Sequence, residues 1–172
     1  MTDTVDTAGS IARMTRAAAA IGSLRGSIEA GQPWPMGPLA ADGPETAWGP
    51  LEVLAHTAEG LQYWLGEIER VLAGAPEPVP FGRIASDPLR TLTIERDRSL
   101  PSGELINRIQ STVARYAARL PDLSAADWNR RGLHPRLGEM TVAAMLERFV
   151  VTHLEEHATQ LTEAVRSRAA GS

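Results

Sequence analysis

The stretch "PLEVLAHTAEGLQYWLGEIERVLAG", residues 50–74, decides the fold class. Its Leu51, Leu54, Ala58, Leu61, Leu65, Ile68 and Leu72 recur at steps of three and four. That period lays them along one face of an α-helix, whereas a strand repeats its faces every second residue. Gly49 suits the N-cap, Pro50 the first helical position, and Glu52 the positive start of the helix. Gly74 and Pro76 stop it.

Upstream, residues 10–30 repeat Ile11, Met14, Ala18, Ile21, Leu24 and Ile28 at the same steps, which predicts a helix ending at Gly31 in a left-handed cap before Pro33. Between these helices "GQPWPMGPLAADGPETAWGP" is broken by glycine and proline every few residues, so it reads as a loop, tied down by Trp34. Downstream, residues 75–101 read as a long crossover, in which residues 87–96 admit a short helical piece without requiring one. Residues 102–120 carry Leu105, Ile106, Ile109, Val113, Tyr116 and Leu120 on one side, predicting a third helix that Pro121 closes. "SAAD", residues 124–127, has capping-box spacing and predicts a short turn before Trp128. A fourth helix is expected from the N-cap candidate Thr141 to about residue 168. No convincing run of strands is visible. The expectation is an all-α protein, a four-helix bundle with one long crossover connection, in a single domain over residues 1–172.

In the last helix Val142, Leu146, Phe149, His153, His157, Gln160 and Ala164 fall on one stripe, which turns both histidines toward the core. Imidazoles at i and i+4 stand one turn apart, close enough to reach one metal ion. A third ligand must then come from another helix, and His56 is the natural candidate, on a flank with Val53, Gly60 and Tyr63. His134, before a proline in "RGLHPRLG", reads as a solvated loop histidine. From pattern alone two readings stand for the other three: ligands of one ion, or hydrogen-bonded core residues.

Composition removes several chemistries. A net charge of −4 gives no basic face for nucleic acid. All 17 basic residues are arginine, which excludes a lysine Schiff base. The absence of cysteine excludes disulfides, thiolate-bound zinc and a cysteine nucleophile, so any thiol chemistry needs a thiol from outside. The acidic start "MTDTVDTAGS" does not resemble a signal peptide, and no apolar run is long enough to span a membrane. Cytoplasmic location is the expectation.

"WGPLEVLAHTAEGLQYW", "DLSAADWNRR" and "GEMTVAAMLERFVVTHLEEHATQL" resemble, in order and spacing, the DinB/YfiT-like superfamily. That superfamily is similar to the metal-binding domain of mycothiol-dependent maleylpyruvate isomerase. The resemblance spans roughly residues 10–166. It implies a four-helix bundle holding a divalent metal, zinc or nickel, through three histidines. Carried over position by position, these are His56, His153 and His157. It also implies a homodimer and use of an external thiol such as mycothiol or bacillithiol, with a small electrophilic substrate.

The function expected is therefore a metal-dependent low-molecular-weight-thiol S-transferase or isomerase. Glu156 is a candidate to orient an imidazole or accept a proton, though a solvated helix carboxylate accounts for it better. Tyr63 and Gln160 are candidates to face the metal, which packing and helix contacts explain equally well. Arg83, Arg90 and Arg96 are candidates to bind carboxylates of the thiol, with ordinary surface arginines the stronger account. Two rivals remain. One is a non-catalytic metal-binding or structural bundle protein of stress response. The other is a zinc hydrolase reading "HLEEH" as H-x-x-E-H with Glu156 as base, for which only Glu163 follows as an acidic third ligand.

Overall fold

The structure, a computed structural model, describes residues 6–37, 39 and 45–171. Parts of the expected N-terminal segment and of the loop after Gly31 (residues 1–5, 38 and 40–44) lie outside the described residues. Four long helical arms share one hydrophobic core. The first comprises α1 (Thr7–Ser23) and α2 (Arg25–Ala30), the second α3 (Pro50–Ala73), the third α5 (Ser102–Arg119), and the fourth α7 (Val142–Leu146) continued by α8 (His153–Ala170). The first arm packs on α5 and α8, and α3 packs on the same two, which closes a four-helix bundle. The crossover from α3 to α5 carries α4 (Pro88–Asp97), and a short helix α6 (Ala125–Trp128) follows α5.

The local signals explain these boundaries. Asp6 caps α1 by accepting from Gly9 N, and Ser124 caps α6 with Asp127 answering in a full capping box. Gly49 starts α3, its N–H donating to Glu52 Oε2 at 2.6 Å. Met14, Ile21, Leu54, Ile68, Leu105, Ile109 and Leu154 are buried from the four arms. Each such side chain contributes about 1.5–3 kcal/mol relative to exposure.

Four expectations change. The first helix is not continuous: Gly22 and Ser23 are poor helix formers, and Leu24 N bonds back to Ile21 O, tightening the turn where α1 gives way to α2. Gly31 does not cap it in a left-handed conformation, since its φ is −80°. What it supplies is room, because a Cβ there would lie 2.5 Å from Trp34 Cζ2. Trp34 does tie down this loop, donating from Nε1 to Ile28 O at 2.8 Å.

Second, a small sheet exists. β1 (Val79–Pro80) runs parallel to β2 (Arg131–His134), which pairs antiparallel with β3 (Gly138–Thr141). Third, His134 is not a solvated loop residue. It ends β2, is buried, and sits against Phe81, Trp64 and Phe149.

Fourth, the last arm is not a uniform α-helix. Residues Glu147–Thr152 form a π-turn between α7 and α8. Leu146 and Val151, five residues apart, are therefore both buried. After this turn the core face is carried by Leu154, Ala158 and Leu161, and the histidines occupy the flank beside it. Among the described residues no helix is long and apolar enough to cross a membrane.

Candidate metal centre

Three histidines meet on this flank. His56 comes from the second turn of α3, and His153 and His157 from the first turns of α8. The Nε2 atoms of His56 and His153 are 2.9 Å apart, and those of His153 and His157 are 3.0 Å apart. The three rings stand nearly perpendicular to one another, edge to face. So the structure brings together the pair spaced one turn apart, His153 and His157, and the candidate third ligand, His56.

Burial and mutual repulsion keep these rings neutral. Desolvation, then the neighbouring imidazoles, hold His56 well below its usual range. The same causes bring His153 down to about 3. Burial lowers His157 as well, opposed by its hydrogen bond to Gln160. Neutral imidazoles offer lone pairs, the form a metal ligand requires.

The tautomers sharpen this. Gln160 Oε1 lies 2.9 Å from His157 Nδ1, so Nδ1 carries the proton and Nε2 presents a bare lone pair toward the cluster. Gln160 Nε2 in turn donates to Glu45 O at 2.7 Å, which fixes the amide orientation. A cation with metal–nitrogen bonds of about 2.0–2.1 Å holds tetrahedral ligands roughly 3.3 Å apart, close to what is seen. The donor set fits a divalent ion.

A fourth donor was invisible to spacing. Glu45, in a single 3-10 turn (Glu45–Ala47), places Oε1 3.5 Å from His56 Nε2 and Oε2 3.9 Å from His157 Nε2. Ligand atoms of Glu45, His56, His153 and His157 all lie within 4.8 Å of one another. The only prior signal was a carboxylate near "WGP", in a loop whose glycines and prolines carry no periodicity.

The remaining candidates divide. Gln160 belongs to the site, through His157. Glu156 is exposed and hydrogen-bonds neither imidazole, and Glu163 is exposed and outside the cluster, so neither supports the H-x-x-E-H arrangement. Tyr63 lies under the guanidinium of Arg83, 3.8 Å from its ring centre, and burial pushes its hydroxyl up to about 12. Arg83 pairs with Glu59 at 2.5 Å, and Arg90 with Glu45. Arg96 is exposed and pairs with Asp97, away from the cluster.

Arg90 is held by its helix start: Asp87 caps α4, accepting from Leu89 N and Arg90 N. The other end of α4 is pinned to α3 by Arg98, whose Nη1 donates to buried Glu52 at 2.9 Å. A cleft of about 150 Å³ opens over the cluster, walled by Trp64, Phe149, Ile84, Arg83 and Arg90. Trp64 and Phe149 stack with centroids 4.0 Å apart, and His134 lies against both, 5.6 Å from Phe149 and 6.5 Å from Trp64.

No curated protein matches this sequence. A solved structure of YfiT from Bacillus subtilis, described as "a probable metal-dependent hydrolase with an unusual four-helix bundle topology", matches with a TM-score of 0.72 at 17% identity, covering 97% of this chain and 91% of YfiT. At that identity the likeness is one of fold. The sequence model of the DinB superfamily matches residues 15–161. Fold and sequence agree, and the chain belongs to the DinB superfamily.

Proposed function

We propose that this protein is a metal-dependent enzyme acting on small molecules, with His56, His153 and His157 holding one divalent cation and Glu45 on its fourth side. The observation that carries this reading is the convergence of three neutral imidazole nitrogens at 2.9–3.0 Å, closed by a carboxylate. A bound zinc or nickel ion would lower the pKa of a coordinated water or thiol into the neutral range. The chain's own groups do the rest. Gln160 sets the tautomer of His157, and Trp64 and Phe149 wall the cleft on one side.

The finer reading is thiol transfer. A cysteine-free chain with an open cleft suits an external thiol such as mycothiol or bacillithiol. The thiol sulfur would bond an electrophilic carbon, the leaving group would depart with its bonding pair, and the thiol proton would pass to solvent. Hydrolysis is the second reading, favoured by the fold shared with YfiT. We take the enzyme to work as a homodimer, as the family resemblance implies, and place it in the cytoplasm.

Metal analysis of the purified protein tests the centre, and conjugation of a chlorodinitrobenzene probe tests the chemistry. Conjugation that requires mycothiol or bacillithiol supports transfer. Thiol-independent cleavage of activated esters selects hydrolysis. Metal content unchanged by His→Ala substitution at all three positions defeats the reading, and light scattering decides the dimer.

A further inference from the structure

We propose that Glu45 is an internal stand-in for the substrate, and that a small monocarboxylate takes its place between Arg90 and the three imidazoles. This inference rests on the metal reading above and names the substrate class for that site.

The two partners of the Glu45–Arg90 pair are unequal. Arg90 is fixed: its side chain is 10% exposed, it sits in the first turn of a capped helix, and its Nη1 donates to Ala85 O at 3.3 Å. Its guanidinium lies over Trp48, 5.4 Å from the ring centre, and Nη2 lies 3.5 Å from His56 Nδ1. Glu45 is 35% exposed and sits on a single 3-10 turn, where, among the described residues, the hydrogen bond to its carboxylate comes from Arg90. A buried guanidinium is costly without an anion, so any withdrawal of Glu45 must be answered by another anion. The arginine is thus the receptor and the glutamate its present occupant.

The surroundings limit what can replace it. Arg83, the second cation of the cleft, is already answered by Glu59, and both side chains are about nine-tenths buried, at 11% and 9% exposure. One carboxylate is therefore wanted, because among the described residues lining the cleft the second cation, Arg83, is already paired. The rest of the wall is Trp64, Phe149 and Ile84, which suits a compact apolar or aromatic body. Swapping one carboxylate for another conserves the charge beside the imidazoles, whereas a neutral ligand would leave Arg90 unpaired.

The test uses full-length zinc-loaded protein with phenylacetate as probe, succinate and benzyl alcohol as controls, and calorimetry plus tryptophan fluorescence as readouts. Removing the internal competitor in Glu45→Ala should tighten phenylacetate binding about tenfold or more. Glu45→Gln, which keeps the bulk and removes the charge, should tighten it too, and adding Arg90→Gln should abolish the gain. Succinate should bind more weakly than phenylacetate, and benzyl alcohol should gain nothing. Zinc is measured on the same samples. Zinc bound normally in both glutamate variants with unchanged phenylacetate affinity overturns this inference alone. Absence of zinc from wild type overturns the metal reading with it.

Discussion

The Nε2 atoms of His56 and His153 lie 2.9 Å apart although 97 residues separate them in the chain. Neither helix alone offers more than two nitrogens, so the centre exists only when α3 and α8 are docked. Replacing His153, the shared neighbour of the other two rings, should remove stoichiometric metal. Competition with a chelating dye should show more than the roughly 10–100-fold loss typical of an outer-sphere partner. Retention of wild-type affinity in His153→Ala would refute the centre.

Gln160 acts through His157, so its effect should be graded. Gln160→Ala should weaken metal binding roughly 10–100-fold while leaving one ion per chain at saturation. Gln160→Glu keeps an acceptor for the Nδ1 proton and should recover most of the loss. A purely structural glutamine would show a stability change with no such rescue.

The metal-free protein should lose stability in acid earlier than its carboxylates explain. The unfolded chain protonates its histidines near the usual 6.5, while folded His153 resists down to about 3, with His56 and His157 also lowered. Over that window the unfolded state binds more protons, so unfolding free energy falls as pH drops below about 6.5. Thermal melts of the apoprotein from about pH 7.5 to about pH 4 should show the decline, and His153→Gln should flatten it. A melting temperature independent of pH between 6.5 and 5 would contradict the assignment of neutral rings.

His134 and Gly82 form a separate, structural lock. His134 Nδ1 accepts from Arg136 N and Leu137 N, both at 3.2 Å, which leaves Nε2 as the protonated nitrogen facing the backbone of Arg83. Gly82 has φ +80°, and a Cβ on it would lie 2.5 Å from His134 Cδ2. Gly82→Ala should therefore cost about 1–3 kcal/mol in urea unfolding. His134→Ala should cost a similar roughly 1–3 kcal/mol by stranding two backbone donors. Metal content should be unchanged in both, because neither residue belongs to the cluster.

Much of the bundle was legible because its information is local and periodic. The stripe from Leu51 to Leu72 and that from Leu105 to Leu120 needed only the helical repeat, and the ends of α3 and α6 needed only cap chemistry. The histidine pair was legible for the same reason, since four residues fix two side chains on one face. What could not be read lies where local pattern has no length. Strands of two to four residues are too short to show alternation, so β1, β2 and β3 went unseen and His134 was misplaced with them. Glu45 joins the site from an irregular segment, through contacts with Arg90 and Gln160 that no spacing encodes. The stripe drawn through Val142, Phe149 and His153 assumed a uniform helix and so merged the core face with the site face.

The π-turn at Glu147–Thr152 is what separates them. One residue of surplus advances everything after it by about 100° around the axis. The half before it and the half after it are thus out of phase, and each can be tuned without disturbing the other: Val142, Met145 and Leu146 answer to the bundle, His153 and His157 to the cluster. Excising a single residue from this turn would leave every ligand in the chain and swing two of the three away from His56. The centre depends on a count as much as on a composition.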